Sequence, residues 1–348
     1  MSTSPDPSAA NSFLEQTVSL LSSAAGYMRL PAIASTVCPD ISAYPAQCLN
    51  GCVANHADWF RGQGVAACLT ALLYFKQKDL IYPAHVPENA RTEVPRPNQY
   101  NFRDYEELII PTNDGEKLSA FYIRGPRRGP NSKLTVLMFH GNAGNIGHRL
   151  PIARMLIAAA SCNVFMLEYR GYGISTGQPD ESGINIDAQT ALDYLRDRAE
   201  TRDHKIVVYG QSLGGAVAIR LVAKNQAGGD ISGLILENTF LSMRKLIPSI
   251  MPPAKYLAYL CHQVWASDSL IPSVKVPTLF LSGLQDEIVP PTHMKRLYDL
   301  SKAPIKIWKP LPGGDHNSSV IEEGYFEAIA EFLNNIVADV AEKQSLSS

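Results

Sequence analysis

Lys205-Ile206-Val207-Val208-Tyr209-Gly210-Gln211-Ser212-Leu213-Gly214-Gly215-Ala216-Val217-Ala218-Ile219 reads as a strand, a sharp turn and a helix in direct succession. The run Ile206 to Tyr209 is β-branched and aromatic, of strand length, and bounded by glycine. Ser212 stands between Gly210 and Gly214, and the small residues that follow let a helix lie close on the sheet it has just left. Such a turn raises one hydroxyl above the carboxyl end of a strand and aims the first helical amides at whatever that hydroxyl attacks. The pattern alone is weak, because Gly173-Ile174-Ser175-Thr176-Gly177 matches it too. There, Gln178 and Pro179 end regular structure and a helix can begin only near Glu181, so Ser175 reads as a loop serine.

Outward from this stretch, short apolar runs alternate with helix-period segments. Leu134–Phe139, Asn163–Glu168, Lys205–Tyr209, Gly233–Glu237, Thr278–Ser282 and Ile305–Lys309 read as strands, and Tyr105–Ile110 and Leu118–Ile123 as an opening hairpin about Asn113-Asp114-Gly115. Around Asp187–Ala199 apolar residues recur at 188, 191, 192, 195 and 199, and Tyr325–Val340 keeps a similar beat. The expected fold is α/β, a mostly parallel sheet with helices on both faces over residues 100–342, with a short helical cap at about 240–275.

A serine hydroxyl needs a histidine to take its proton and a carboxylate to hold that imidazole, and after such a turn the chain order is serine, acid, histidine. His316 is the histidine between the last predicted strand and the last helix, in Leu311-Pro312-Gly313-Gly314-Asp315-His316-Asn317. His293 falls on a helix-like segment and reads as a surface residue, and His140 as structural. For the acid, Asp286 follows the strand Thr278–Ser282 at the sheet edge where open α/β folds bind ligands. Its rivals are Glu287, which points the opposite way in an extended turn, and Asp315, which is too close in sequence to reach the far side of the ring. The glycine-rich turn His140-Gly141-Asn142-Ala143-Gly144-Asn145 suits an oxyanion hole, with the backbone N–H groups of Asn142 and Leu213 as donors.

With 31 basic and 33 acidic residues in 348, the charge of −2 gives no footprint for nucleic acid. The six cysteines are too few and scattered for a disulfide framework. Cys48, Cys52 and His56 are four apart but lack a fourth ligand at zinc spacing, so neither metal nor organic cofactor is expected. The sequon at Asn317 sits beside His316 and reads as unused. Residues 1–60 read as poorly ordered or loosely helical, within an N-terminal extension of residues 1–80. Within it Val65–Phe75 is uncharged and apolar, a candidate membrane anchor at about 65–75, though shorter than a spanning helix. No basic region precedes an apolar stretch at the start, so a cleaved signal peptide fits poorly.

The strings His140-Gly141-Asn142-Ala143-Gly144-Asn145, Tyr169-Arg170-Gly171-Tyr172-Gly173-Ile174-Ser175, Gly210-Gln211-Ser212-Leu213-Gly214-Gly215 and Glu237-Asn238-Thr239-Phe240 resemble the bud-emergence (Bem-type) α/β-hydrolases of fungi and their animal ABHD-type relatives. The resemblance covers about residues 68–340. It implies the α/β-hydrolase fold, with Ser212 as nucleophile, Asp286 as acid and His316 as base. It also implies one hydrophobic N-terminal anchor ahead of a segment like Leu80-Ile81-Tyr82-Pro83, hence a membrane partner at the endoplasmic reticulum or cell periphery; residues 31–64 interrupt what would be a longer anchor. The expected activity is hydrolysis of an acyl ester or thioester of a lipid or lipidated protein, with an aminopeptidase or amidase, or a non-catalytic binding protein, as the alternatives. Apolar residues of the cap, among them Leu246, Ile247, Ile250 and Leu257, predict an acyl group of medium or long chain.

Overall fold

The computed structural model describes residues 70–71 and 74–345. The expectations placed on residues 1–64, including Cys48, Cys52 and His56, and on most of the Val65–Phe75 run lie outside the described residues.

Eight strands form one sheet in the order β1-β2-β4-β3-β5-β6-β7-β8. β1 (Tyr105–Pro111) and β2 (Lys117–Ile123) form the antiparallel hairpin, and β2 pairs antiparallel with β4 (Asn163–Leu167). β3 (Leu134–Phe139), β4, β5 (Lys205–Gln211), β6 (Ile231–Glu237), β7 (Thr278–Gly283) and β8 (Lys306–Leu311) run parallel. Strands covered on both faces have no solvent side to alternate toward, and every residue of β3, β4 and β7 is buried.

The period-2 pleat divides the core into two layers. Ile206, Val208, Leu234 and Phe280 point to the face covered by α2 (Glu181–Asp197) and α3 (Leu213–Asn225). Val207, Tyr209, Ile235 and Leu279 point to the face covered by α1 (Leu150–Ala160) and α7 (Tyr325–Ser345). Each buried aliphatic or aromatic side chain contributes about 1.5–3 kcal/mol, so the sheet is the stable platform and the loops at its carboxyl edge are carried by it.

Between β6 and β7 the chain forms α4 (Met243–Ile250), a 3-10 helix (Pro252–Leu260) and α5 (Ser267–Leu270) above that edge. Ser242 caps α4 by accepting from the Lys245 N–H. Residues 74–81 are helical and lie against this insertion: the Gln77 amide accepts from the His262 N–H at 2.8 Å and donates to the Leu260 carbonyl at 3.4 Å. Trp265 Nε1 donates to the Tyr82 hydroxyl at 2.8 Å, and that hydroxyl donates to Gln263. α6 (Pro291–Leu300) corrects one expectation. His293, expected at the surface, is buried, because the chain leaving β6 crosses α6 and the Leu241 N–H finds its acceptor in His293 Nδ1 at 3.3 Å.

Candidate active site

β5 continues through Gly210 and Gln211, which pair with Leu236 and Glu237 of β6, so the ladder reaches the residue before Ser212. Ser212 then takes φ 53° and ψ −118°, a conformation costing a non-glycine residue of order 1–3 kcal/mol, and α3 starts at once. The turn is held from outside. The Ser212 N–H donates to the Glu237 carbonyl at 2.9 Å, and the Thr239 hydroxyl donates to the Ser212 carbonyl at 2.6 Å. Gly210 and Gly214 are required by contact: a Cβ on the first would run into the Gly214 carbonyl, and one on the second into the Phe139 carbonyl.

The acid and the histidine arrive from the loops after β7 and β8. Asp286 Oδ1 accepts from the N–H groups of Ile288 at 2.9 Å and Val289 at 2.7 Å, which fixes the carboxylate and leaves Oδ2 for His316 Nδ1, 2.7 Å away. A carboxylate can only accept, so Nδ1 carries the proton there, and the bare Nε2 faces Ser212 Oγ at 3.0 Å. All three residues are buried, at 8%, 6% and 6% exposure for Ser212, Asp286 and His316, so bulk water cannot compete for these contacts. The rivals are elsewhere. Glu287 is exposed, and Asp315 Oδ1 accepts from the Asn317 and Ser318 N–H groups as a turn residue. Ser175 is buried in its loop, its hydroxyl donating to the Glu168 carbonyl and accepting from the Ser119 N–H.

Among the described residues, the N–H of Asn142 in the turn after β3 and the N–H of Leu213 at the start of α3 donate to no acceptor. The Asn142 side chain donates to the Ile81 carbonyl, and the Tyr172 hydroxyl donates to the Asn142 carbonyl at 3.0 Å. Behind the turn, Glu168 faces His140 Nε2 at 3.1 Å and accepts from the Ile146 N–H at 3.0 Å. Arg149, fully buried, donates to the Ala143 carbonyl at 3.0 Å. Under His316, Glu237 accepts from the hydroxyls of Tyr209 and Tyr325, and burial raises its carboxyl above the usual range.

Asn238 is a site residue to which sequence reading gave no role. With φ 45°, its side chain accepts from the Gly283 N–H at 2.8 Å and donates to the Asp315 carbonyl at 3.1 Å, the His316 carbonyl at 3.3 Å and the Ser319 hydroxyl at 2.9 Å. One amide thus ties the end of β7, three residues before Asp286, to the loop that carries His316. The available signal was an asparagine and a threonine directly after the strand beside the serine's own, in Glu237-Asn238-Thr239-Phe240.

Ser212 and His316 form the floor of a cavity of about 390 Å³. Phe240, Leu246, Ile247, Ile250, Leu257 and Leu260 form one wall, and Tyr74, Leu80, Ile81, Pro83 and Val86 part of the other. The surface facing the cavity is mostly apolar, with Gln77, Asp79, His85 and Asn142 among the polar residues that line it beside the serine and histidine.

Residues 130–271 match the family described as Serine aminopeptidase, S33. Protein bem46 of Schizosaccharomyces pombe is 46% identical over 273 residues, covering 77% of this chain and 90% of that protein. An uncharacterized membrane protein of Saccharomyces cerevisiae is 42% identical over 265 residues, covering 76% and 90%. Among solved structures, the Pyrococcus furiosus esterase Pf2001 superposes with a TM-score of 0.57 at 21% identity, over 69% of this chain and 94% of that one, a likeness of fold.

Proposed function

The chain belongs to the Bem46-type α/β-hydrolases, and from that premise we propose that it is a serine hydrolase of carboxylic esters or thioesters working through Ser212, His316 and Asp286. The observation that carries the reading is the unbroken line from Ser212 Oγ to His316 Nε2 at 3.0 Å and from Nδ1 to Asp286 at 2.7 Å, at the floor of an apolar cavity. Ser212 Oγ attacks the acyl carbonyl while Nε2 takes its proton. The oxyanion forms against the N–H groups of Asn142 and Leu213, and Asp286 steadies the imidazolium. The proton passes to the departing alcohol or thiol, leaving an acyl-Ser212. Water, deprotonated by the same nitrogen, then releases the acid and restores the serine.

The substrate is an acyl ester or thioester of a lipid or lipidated protein, its chain in the cap-side cavity. Membrane association at the endoplasmic reticulum or cell periphery belongs to the same reading. It is supported by the name of the Saccharomyces relative and by the uncharged run Val65–Phe75, while among the described residues no helix is long and apolar enough to cross a membrane.

A fluorophosphonate probe tests the chemistry. Labelling is expected at Ser212, lost in Ser212→Ala and kept in Ser175→Ala, and Asp286→Asn should lower kcat by about three decades or more because the ring loses its tautomer. Labelling that survives Ser212→Ala would remove the reading. Cleavage of aminoacyl amides ahead of every ester would make the protein a peptidase instead.

A further inference from the structure

We propose that the rim of the cavity, formed by residues 74–80 and 250–260, lies on a lipid bilayer, so that the acyl substrate enters from the membrane rather than from water. The inference rests on the hydrolase reading for its substrate but on independent observations for its surface. Of the twelve large apolar side chains exposed among the described residues, seven belong to these two short segments: Tyr74, Phe75, Leu80, Ile250, Tyr256, Tyr259 and Leu260. The three most exposed are Tyr259 at 82% and Tyr256 and Phe75 at 78% each. Single exposed apolar residues are ordinary, whereas a cluster around one opening marks a surface that meets something apolar.

The geometry of the 3-10 helix Pro252–Leu260 separates two faces. With three residues per turn, positions three apart share a side. Leu257 and Leu260 both line the cavity, and Tyr256 and Tyr259, one position earlier in each case, do not line it and stand out from the protein. The second segment is joined to this helix through the Gln77 contacts with Leu260 and His262 and the edge-to-face approach of Tyr74 to His262 at 5.4 Å. Tyr74, Leu80, Ile250 and Leu260 are at once exposed and cavity-lining, so apolar surface runs from the outer face into the pocket, past the polar side chains of Gln77 and Asp79 that also line it.

Three observations select a bilayer as the occupant. Four of the seven outward apolar residues, set among the exposed Lys76, Lys78 and Asp79, are tyrosine or phenylalanine, side chains that settle at the headgroup boundary with an apolar body inward and, for tyrosine, a hydroxyl in water. The Lys255 ammonium stands 4.7 Å over the Tyr256 ring, placing a cation at the same level, where lipid phosphates lie. Eleven uncharged residues, Val65–Phe75, lead the chain to this rim and end on it. An acyl chain drawn from a bilayer into the cavity would meet Leu80, Ile250 and Leu260 at the rim and Leu246, Ile247 and Leu257 within.

The test uses the full chain and phosphatidylcholine vesicles with brominated acyl chains. In Tyr259→Trp the introduced tryptophan should be quenched by these vesicles beyond the quenching of the unsubstituted chain, which shares Trp59, Trp265 and Trp308. In Tyr256→Glu/Tyr259→Glu, hydrolysis of p-nitrophenyl palmitate held in vesicles should fall about tenfold or more, as two aromatic anchors give way to charges. Dissolved p-nitrophenyl acetate should be hydrolysed as before, because neither tyrosine lines the cavity; this arm also reports that the variant is folded. No added quenching, unchanged vesicle turnover, or a dimer of the unsubstituted chain that the double variant dissolves would overturn the proposal, the last by assigning the face to a second copy. If the unsubstituted chain fails to hydrolyse even the acetate, the hydrolase reading falls, and the quenching still decides the surface.

Discussion

At the scale of single residues, Asn238 shows how geometry in this site is shared. The His316–Asp286 contact joins two loops, and the Asn238 amide helps hold those loops at a fixed spacing, beside the N–H groups of Leu284 and Gln285 that donate to the Leu311 and Gly314 carbonyls. Asn238→Asp keeps the shape and the acceptor for the Gly283 N–H but sets a carboxylate against the carbonyls of Asp315 and His316. We expect kcat to fall about 10- to 100-fold with KM within about twofold, since displacement of about 1 Å is enough for that loss. A lower melting temperature with kcat unchanged would make Asn238 a fold residue only. That Ser212, Asp286 and His316 come within hydrogen-bonding distance was legible in the sequence, because each lies a few residues past the end of an apolar run, in a known order. The place of Asn238 was not, because its four partners sit at 283, 315, 316 and 319, and only the sheet order places them beside β6.

Elements impose tighter limits. The crossing of α3 over β3 leaves no room at Gly214, and Gly214→Ala should destabilise by about 3 kcal/mol, measurable by denaturant titration, because the opposing group is the Phe139 backbone and cannot swing away. The loop after β3 makes a second expectation. His148 is pushed down to about 4, first by burial and then by Arg149 and His140, and its Nδ1 accepts from the Asn145 N–H at 3.3 Å. The neutral ring is the folded form, so between pH 6.5 and about 4 the unfolded chain binds a proton that the folded chain refuses. The stabilisation is whole above 6.5 and is lost as pH falls toward 4; the half-buried ring of His204 and the buried ring of His293, also shifted down by burial, act in the same direction. Melting temperature should therefore decline across that window, and less steeply in His148→Gln. Strands were the most legible elements, since apolar runs of four to six residues between turn residues have few other meanings. The place of His293 was not, because a helix pattern does not say which chain will cross it.

For the molecule as a whole, cavity and cap make chain length the expected axis of specificity. Each methylene buried contributes about 0.8 kcal/mol, so kcat/KM should climb several-fold per pair of carbons from acetyl through butyryl to octanoyl, until the cavity is filled. A preference for acetyl, measured against a Ser212→Ala blank, would contradict it. The sequence pattern marked the cap, whose residues fall between two strands and are too apolar to be an idle loop. It did not mark the wall supplied by residues 74–86, since contact between a leader and a cap nearly two hundred residues away leaves no local trace. That wall bears on what proteolysis would do. On the proposed membrane association, clipping the chain near Tyr82 would ordinarily be seen as shedding, the release of an unchanged protein. On the proposed hydrolase reading, the cut would leave Ser212, His316 and Asp286 in place while opening one side of the chamber and taking the Ile81 carbonyl from Asn142, so the fragment would have lost its ruler.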